Sequence, residues 1–403
     1  MTAARIGIVA RPAAILTIAA LALVGCAARE DEPTELAPAP SGSLDPAAAG
    51  PVEPVGEQTV IASGFDVPWS IVRLENGSTL ISERDTTLVK EVTASGQVRE
   101  VGAVPGVEPG GEGGLLGLAT LDMDAAEAGA ADGNDADADD AETDGAAGGG
   151  LWLYAYITAE ADNRVIRMPL LGDPGALALG DPEVVLTGIE KAGNHNGGRI
   201  AFGPDGMLYA TTGDAGDTAR SQDPDSLSGK ILRMTPEGAV PADNPNGGSL
   251  VYTLGHRNPQ GIAWEADGTM WAAEFGQNTW DELNLITPGA NYGWPEVEGQ
   301  EGVEGFVDPV LQWATSEASP SGLASTRDTL FLAALRGQRV WTIDPATSEA
   351  IPYFQGQYGR IRDVTAGPDG TLWMITNNTG GRGLVSENDD LLVEVRLAPR
   401  GAR

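Results

Sequence analysis

The 403-residue chain is poor in the side chains that carry most proton, thiol and nucleic-acid chemistry. It has two histidines and one cysteine, and 24 Lys and Arg stand against 58 Asp and Glu, a formal net charge of −34. A single cysteine excludes any disulfide within the chain. The shortage of cations argues against a duplex-binding surface, which must supply Lys and Arg to phosphates. Beyond residue 24 no run approaches the ~20 apolar residues of a spanning helix. Helix-period patterns are almost missing as well, so the fold has to be built from strands. Histidine is the side chain best placed to move a proton near neutral pH. Two of them make a short list of bases.

What is present begins with a targeting segment. Residues 1–25 read as a signal peptide, with positive charge from Arg5 and Arg11 and an apolar stretch from Pro12 to Val24. Its end, Leu23-Val24-Gly25-Cys26, resembles a bacterial lipobox. That resemblance implies cleavage before Cys26, lipidation of Cys26, and an extracytoplasmic protein anchored to the cell membrane rather than embedded in it. An ordinary secretory signal with a chance cysteine is the alternative. Residues 26–58, rich in Pro, Ala, Gly, Ser and acid, read as a disordered tether. Residues from about 122 to 150 carry acid without Lys or Arg and read as a disordered acidic insertion between two strands. A calcium loop on Asp135, Asp137, Asp139 and Asp140 is the weaker reading, because the EF-hand glycine and distal Glu are missing.

One unit recurs in the remainder. An Asn-Gly or Asp-Gly turn at Asn76-Gly77, Asp205-Gly206, Asp267-Gly268 and Asp369-Gly370 is followed by an apolar strand. A hairpin repeated at intervals of tens of residues indicates radial repetition, hence an all-β, roughly six-bladed β-propeller over residues 59–398. A β-sandwich array is the alternative. A propeller gathers loops from distant parts of the chain at one mouth of its channel. His195, the Arg257-Asn258 pair, and Arg360 with Arg362 each lie just before or at the start of a strand that leads into one of these turns. Three such loops are expected to face the same mouth, with one neutral base and several guanidiniums that suit planar carboxylates. His256, between Gly255 and Arg257, is expected to orient its loop.

The motifs together resemble the soluble glucose/sorbosone dehydrogenases, which include aldose sugar dehydrogenases dependent on pyrroloquinoline quinone (PQQ). They are Pro68-Trp69-Ser70-Ile71, Gly113-Gly114-Leu115-Leu116-Gly117, His195-Asn196-Gly197-Gly198-Arg199, Gly255 to Gly261, and Gly289 to Pro295, in family order. The resemblance implies a six-bladed propeller with PQQ and Ca²⁺ at the channel mouth, an aldose substrate, and an electron acceptor that it does not define. It assigns His195 as general base. Arg257 and Asn258 would sit beside the reacting quinone oxygens, and Arg336, Arg360 and Arg362 would hold PQQ carboxylates. Trp313 is set against an aromatic that packs on the cofactor. Gly276 and Gln277 match the loop that ligates calcium on PQQ; Glu282 and Tyr292 match ligands of a second, structural calcium.

Three positions depart from the family. Glu112 stands where a Gln contacts PQQ or substrate, and a carboxylate there needs a proton or a salt bridge. Asn194 replaces an Asp and Ala215 a Gln, which touches substrate preference and not the base. Two rival functions stay open: a non-catalytic ligand-binding propeller, and a calcium-dependent lactonase with inward carboxylates in place of the arginines.

Overall fold

A computed structural model describes residues 50–124 and 150–401. The expectations for the signal peptide, Cys26 and nearly all of the tether and acidic insertion lie outside these residues. Among the described residues the chain forms six antiparallel sheets, each built on a four-strand path. Their inner strands are Pro68–Arg73, Leu115–Asp122, Ile200–Phe202, Pro259–Trp264, Pro320–Thr326 and Ile361–Ala366, which define blades 1 to 6. The four repeated turns each join the first and second strands of a blade, as the sequence pattern predicts. The turn glycines supply the positive φ, at Gly77 (89°) and Gly268 (91°) for example.

The tether expectation needs one correction. Val52–Ser63 is a strand, paired antiparallel with Leu391–Pro399 from Val52↔Pro399 to Ser63↔Leu391. It becomes the outer strand of blade 6 and closes the ring by joining the two ends of the propeller. Its apolar residues are sparse, so burial does not announce it. Backbone pairing with an otherwise open edge does.

Apolar side chains are divided among six clusters, one between each pair of neighbouring blades. The strand Thr329–Ala334 shows how. Leu330, Leu332 and Ala334 point into the blade 4–5 cluster, while Phe331 and Ala333 point into the blade 5–6 cluster. With both faces buried, the strand reads as a continuous apolar run although its period is still two. Truncating Phe331 to alanine would cost about 3–5 kcal/mol on this account.

Five of the six inner strands carry a register irregularity near their start. The unpaired residues there are Trp69; Leu116 and Gly117; Gln260; Ser321 and Gly322; and Arg362. A bulge re-aims the extra side chain out of the alternation. The repeated bulge therefore delivers Trp69, Gln260, Ser321 and Arg362 to one level of the channel. There the Trp69 ring meets two guanidiniums, Arg199 at 4.4 Å and Arg362 at 5.6 Å from its ring centre. Arg199 also bonds Asp363 (2.9 Å), the Gln260 carbonyl (3.0 Å) and Ser70 Oγ (3.2 Å). This layer is the floor of the site.

Candidate active site

In a four-stranded antiparallel blade, the connection into the inner strand and the connection between strands two and three share one end. Both series open at the same end of this propeller and enclose a cavity of about 490 Å³. The first series brings Glu112, His195, Arg257, Asn258 and Arg360; the second brings Arg84, Gly276, Gln277, Arg336 and Arg382. Of the site residues expected from the sequence, the cavity gathers His195, Glu112, Arg257, Asn258, Arg336, Arg360, Arg362, Gly276 and Gln277.

Trp313 does not join them. It lies on Leu311–Ala314, the outer strand of blade 4, buried in the blade 4–5 cluster with its ring 5.5 Å from that of Trp341. An outer strand is the farthest of the four from the channel, so Trp313 is not among the residues that line the cavity. Glu282 and Tyr292 sit behind the cavity wall, on a small pocket shared with Glu274 and Glu298. Burial, reinforced by Glu274, pushes the Glu282 carboxyl up to about 8. The Tyr292 hydroxyl donates to the Leu285 carbonyl at 2.7 Å and accepts from the Thr287 amide at 2.9 Å.

His195 is built by its glycines. It adopts a left-handed backbone (φ 56°), which costs an L-residue about 1–2 kcal/mol. A Cβ at Gly213 would lie 2.0 Å from the His195 carbonyl oxygen, so only glycine lets the two loops close on each other. That closure brings Nδ1 of His195 to 2.7 Å from Oδ1 of Asp214. Asp214 is fully buried and also accepts from the Trp294 indole (2.9 Å) and the Gly216 amide (2.8 Å). Burial alone would raise its pKa, but these hydrogen bonds outweigh it and hold the carboxyl below its ordinary value. An ionised Asp214 favours the tautomer with the proton on Nδ1, in which Nε2 of His195 carries a lone pair. His256, by contrast, is wholly buried between Glu274 (2.7 Å) and Thr253 (2.8 Å) and stacks on Tyr292. It holds its loop.

The cavity is strongly cationic. Six guanidiniums line it, against the carboxylates of Glu112 and Asp281. Arg84 pairs with Asp85 and Arg382 with Glu112. Among the described residues Arg257, Arg336, Arg360 and Arg362 have no carboxylate partner, and the buried Nε atoms of Arg257, Arg360 and Arg362 bond to nothing. Arg362 makes hydrogen bonds only to neutral oxygens, Gln260 Oε1 at 2.8 Å and Ser321 Oγ at 3.2 Å. Burial, then the neighbouring Arg360, drives its pKa far below the usual guanidinium range. Burial, then Arg382, lowers Arg360 to about 10. Uncompensated buried charge of one sign is costly, and a planar polyanion would relieve it.

Arg84, Arg382 and Asp214 were missed as site residues by the sequence reading. All three lie in connections between strands two and three, and applying the blade-position rule to that second series would have found them.

The glucose/sorbosone dehydrogenase family model matches residues 149–386. Aldose sugar dehydrogenase YliI of Escherichia coli is 30% identical over 358 residues, covering 80% of this chain and 90% of the relative. Quinoprotein glucose dehydrogenase B of Acinetobacter calcoaceticus is 29% identical over 286 residues, 62% of this chain and 55% of that protein. The solved PQQ-bound form of aldose sugar dehydrogenase from Streptomyces coelicolor is 45% identical and covers 88% of this chain and 100% of its own, with a TM-score of 0.75. A family match over more than half of the sequence, on a propeller shared with these relatives, shows that the chain belongs to the glucose/sorbosone dehydrogenase family.

Proposed function

We propose that the protein is a PQQ-dependent sugar dehydrogenase that oxidises an aldose at C1 to its lactone. One observation carries this reading: buried guanidiniums without carboxylate partners share a single cavity with His195, whose ring is held by Asp214. The relatives named for aldose sugars and for a quinone cofactor support it.

The residues fit PQQ, a planar tricarboxylate, because the unpaired guanidiniums supply the charge-assisted bonds such a group needs. Arg336, Arg360 and Arg362 would hold its carboxylates, with Arg257 and Asn258 beside its reacting oxygens. The backbone carbonyls of Gly276 and Gln277 would ligate Ca²⁺ next to it, and the pocket at Glu282 and Tyr292 would take a second Ca²⁺, a cation suited to hard oxygen donors. When bound, the quinone supplies the hydride acceptor.

The chain's own part is proton and charge management. Nε2 of His195 accepts the proton of the C1 hydroxyl, and Asp214 orients the ring and stabilises the imidazolium that results. Arg257, packed 5.5 Å from the centre of the Trp294 ring, offsets negative charge that develops opposite the base. An external acceptor would take up the two electrons. A lactonase would want inward carboxylates where this cavity presents guanidiniums.

The test is reconstitution with PQQ and Ca²⁺, followed by stopped-flow reduction of the bound quinone by a panel of aldoses. His195→Ala or His195→Gln is expected to bind PQQ and to be reduced about 10²–10⁴-fold more slowly. Comparable rates would remove His195 as the base. A wild type that binds no PQQ with Ca²⁺ present would overturn the dehydrogenase reading in favour of a binding propeller. We propose as well that lipidation at Cys26 tethers the enzyme outside the cytoplasm, on the strength of its lipobox. Loss of fatty-acid labelling in Cys26→Ser is the expected result, and retained labelling would refute it.

A further inference from the structure

We propose that Glu112 is a positioning residue for His195: its carboxylate clamps the backbone of the base. The inference rests on His195 being the base, as above.

The two oxygens of Glu112 are divided between two loops. Oε2 accepts the backbone amide of His195 at 3.1 Å. Oε1 accepts Nη1 of Arg382, from blade 6, at 3.2 Å. The backbone amide of Glu112 adds a bond to the Gly193 carbonyl at 2.9 Å, so the loops at 112 and at 193–195 are fastened twice. What they fasten is strained. His195 sits at φ 56°, which a histidine keeps only where its surroundings impose it. From the other side, the Ala215 amide bonds the His195 carbonyl at 3.2 Å, and Asp214 takes its ring. Glu112 is the only one of these partners that holds the amide, and it does so with a charged acceptor, the stronger kind.

The two bonds differ in consequence. The Arg382 side chain is 68% exposed, so its ion pair with Glu112 is screened and contributes little to holding anything. The bond to the His195 amide is partly buried and bears directly on where Nε2 points. A glutamine at position 112 would keep a carbonyl acceptor for the amide, weaker because it is uncharged, and would lose the ion pair with Arg382. An alanine would lose both. The pair of variants therefore separates positioning from the charge at the rim.

The experiment uses the fact that the chain has two histidines. In cofactor-free protein labelled with [¹⁵N]histidine, two backbone amides are visible, and that of His256, bonded to the Gly229 carbonyl, is an internal reference. In Glu112→Ala the His195 amide is expected to exchange with solvent at least tenfold faster while His256 stays as in the wild type. Glu112→Gln is expected to bring the His195 rate back to within about threefold of wild type. In the PQQ- and Ca²⁺-loaded enzyme, Glu112→Ala is expected to lower kcat at least tenfold with KM shifted less than threefold, and Glu112→Gln to recover most of that turnover. Should Glu112→Ala not fold, Glu112→Asp takes its place, because it keeps the charge and withdraws the acceptor by one methylene. His195 exchange within twofold of wild type in the truncated variant would overturn the proposal. So would a Glu112→Gln enzyme as slow as the alanine variant. If no form reduces PQQ, the dehydrogenase reading fails, and the exchange rates alone still decide the clamp.

Discussion

Asp214 and His195, a residue lining the cavity, are joined by a 2.7 Å hydrogen bond that spans two loops of blade 3. Asp214→Asn keeps the shape and removes the charge. Its amide no longer fixes the Nδ1–H tautomer or stabilises an imidazolium. Turnover is expected to fall by about 10² or more, with PQQ affinity little changed. The same variant has a signature on stability. Because the folded pKa of Asp214 is depressed, its contribution is present above the ordinary value of 3.8 and lost as pH falls through the folded value. Acid melts of the two cofactor-free proteins are expected to converge below that range, with the wild type ahead above it.

Arg362 is buried and bonds only to the neutral oxygens of Gln260 and Ser321, and the proposed function gives it a cofactor carboxylate to hold. Arg362→Met is expected to weaken PQQ binding at least tenfold, since a charge-assisted bond of roughly 1.5–3 kcal/mol is lost. The cofactor-free variant is expected to melt at or above the wild-type temperature, because a desolvated charge without a carboxylate partner has been replaced by an apolar group of similar length. Unchanged affinity would remove the carboxylate-clamp assignment. A large drop in Tm would show that the guanidinium stabilises the fold.

Lys230 is fully buried and gives its ammonium to the carbonyls of Arg220, Ser221 and Ser228 at 2.7, 3.1 and 2.8 Å. These carbonyls belong to the long connection that also carries Asp214. Lys230→Met would strand them, at about 1–3 kcal/mol each, and is expected to destabilise the protein by at least ~3 kcal/mol at neutral pH. Burial lowers the Lys230 pKa from 10.5 to about 8. Between those values the unfolded chain holds the proton and the folded chain does not, so stability contributed by Lys230 rises with pH across the window. Denaturant melts at pH 7, 8, 9 and 10 are expected to show the wild type gaining on the variant above pH 8. A constant gap would show that Lys230 stays charged throughout.

The acidic insertion leaves blade 2 from the turn end of its first two strands, the end opposite the cavity mouth. Pairing continues to Asp122↔Leu151, and the Met123 amide still bonds the Gly150 carbonyl at 3.1 Å. The hairpin is thus closed before the insertion begins. Replacing Asp124–Gly148 by a short Gly-Ser link is expected to leave Tm and PQQ affinity nearly unchanged. A collapse of folding would make the segment structural.

Much of this was legible in the chain. The four Asn-Gly and Asp-Gly turns require positive φ, so the repeated hairpin is written in local chemistry, and roughly six blades follow from the length of the region that holds it. His195 could be singled out because the chain offers only one rival histidine. Its partner could not, because Asp214 is one of 58 acidic residues and meets the ring only when two glycine-bearing loops close. Trp313 misled for the reason Trp usually does: an aromatic in a strand reads the same whether it faces a ligand or a neighbouring blade.

By itself, then, the sequence determined the strands, their turns, the end of each blade at which its loops gather and the excess of arginine in those loops. These depend on φ preferences and on alternation along the chain, which are local. Tertiary structure decided the rest: the outer strand from Val52 to Ser63, the bulges that aim Trp69 and Arg362 into the channel, and the division of the arginines into paired and unpaired. Each is a matter of which groups meet across the ring. Distance between residues far apart in the chain is fixed by closure of the six blades, and no local preference encodes it.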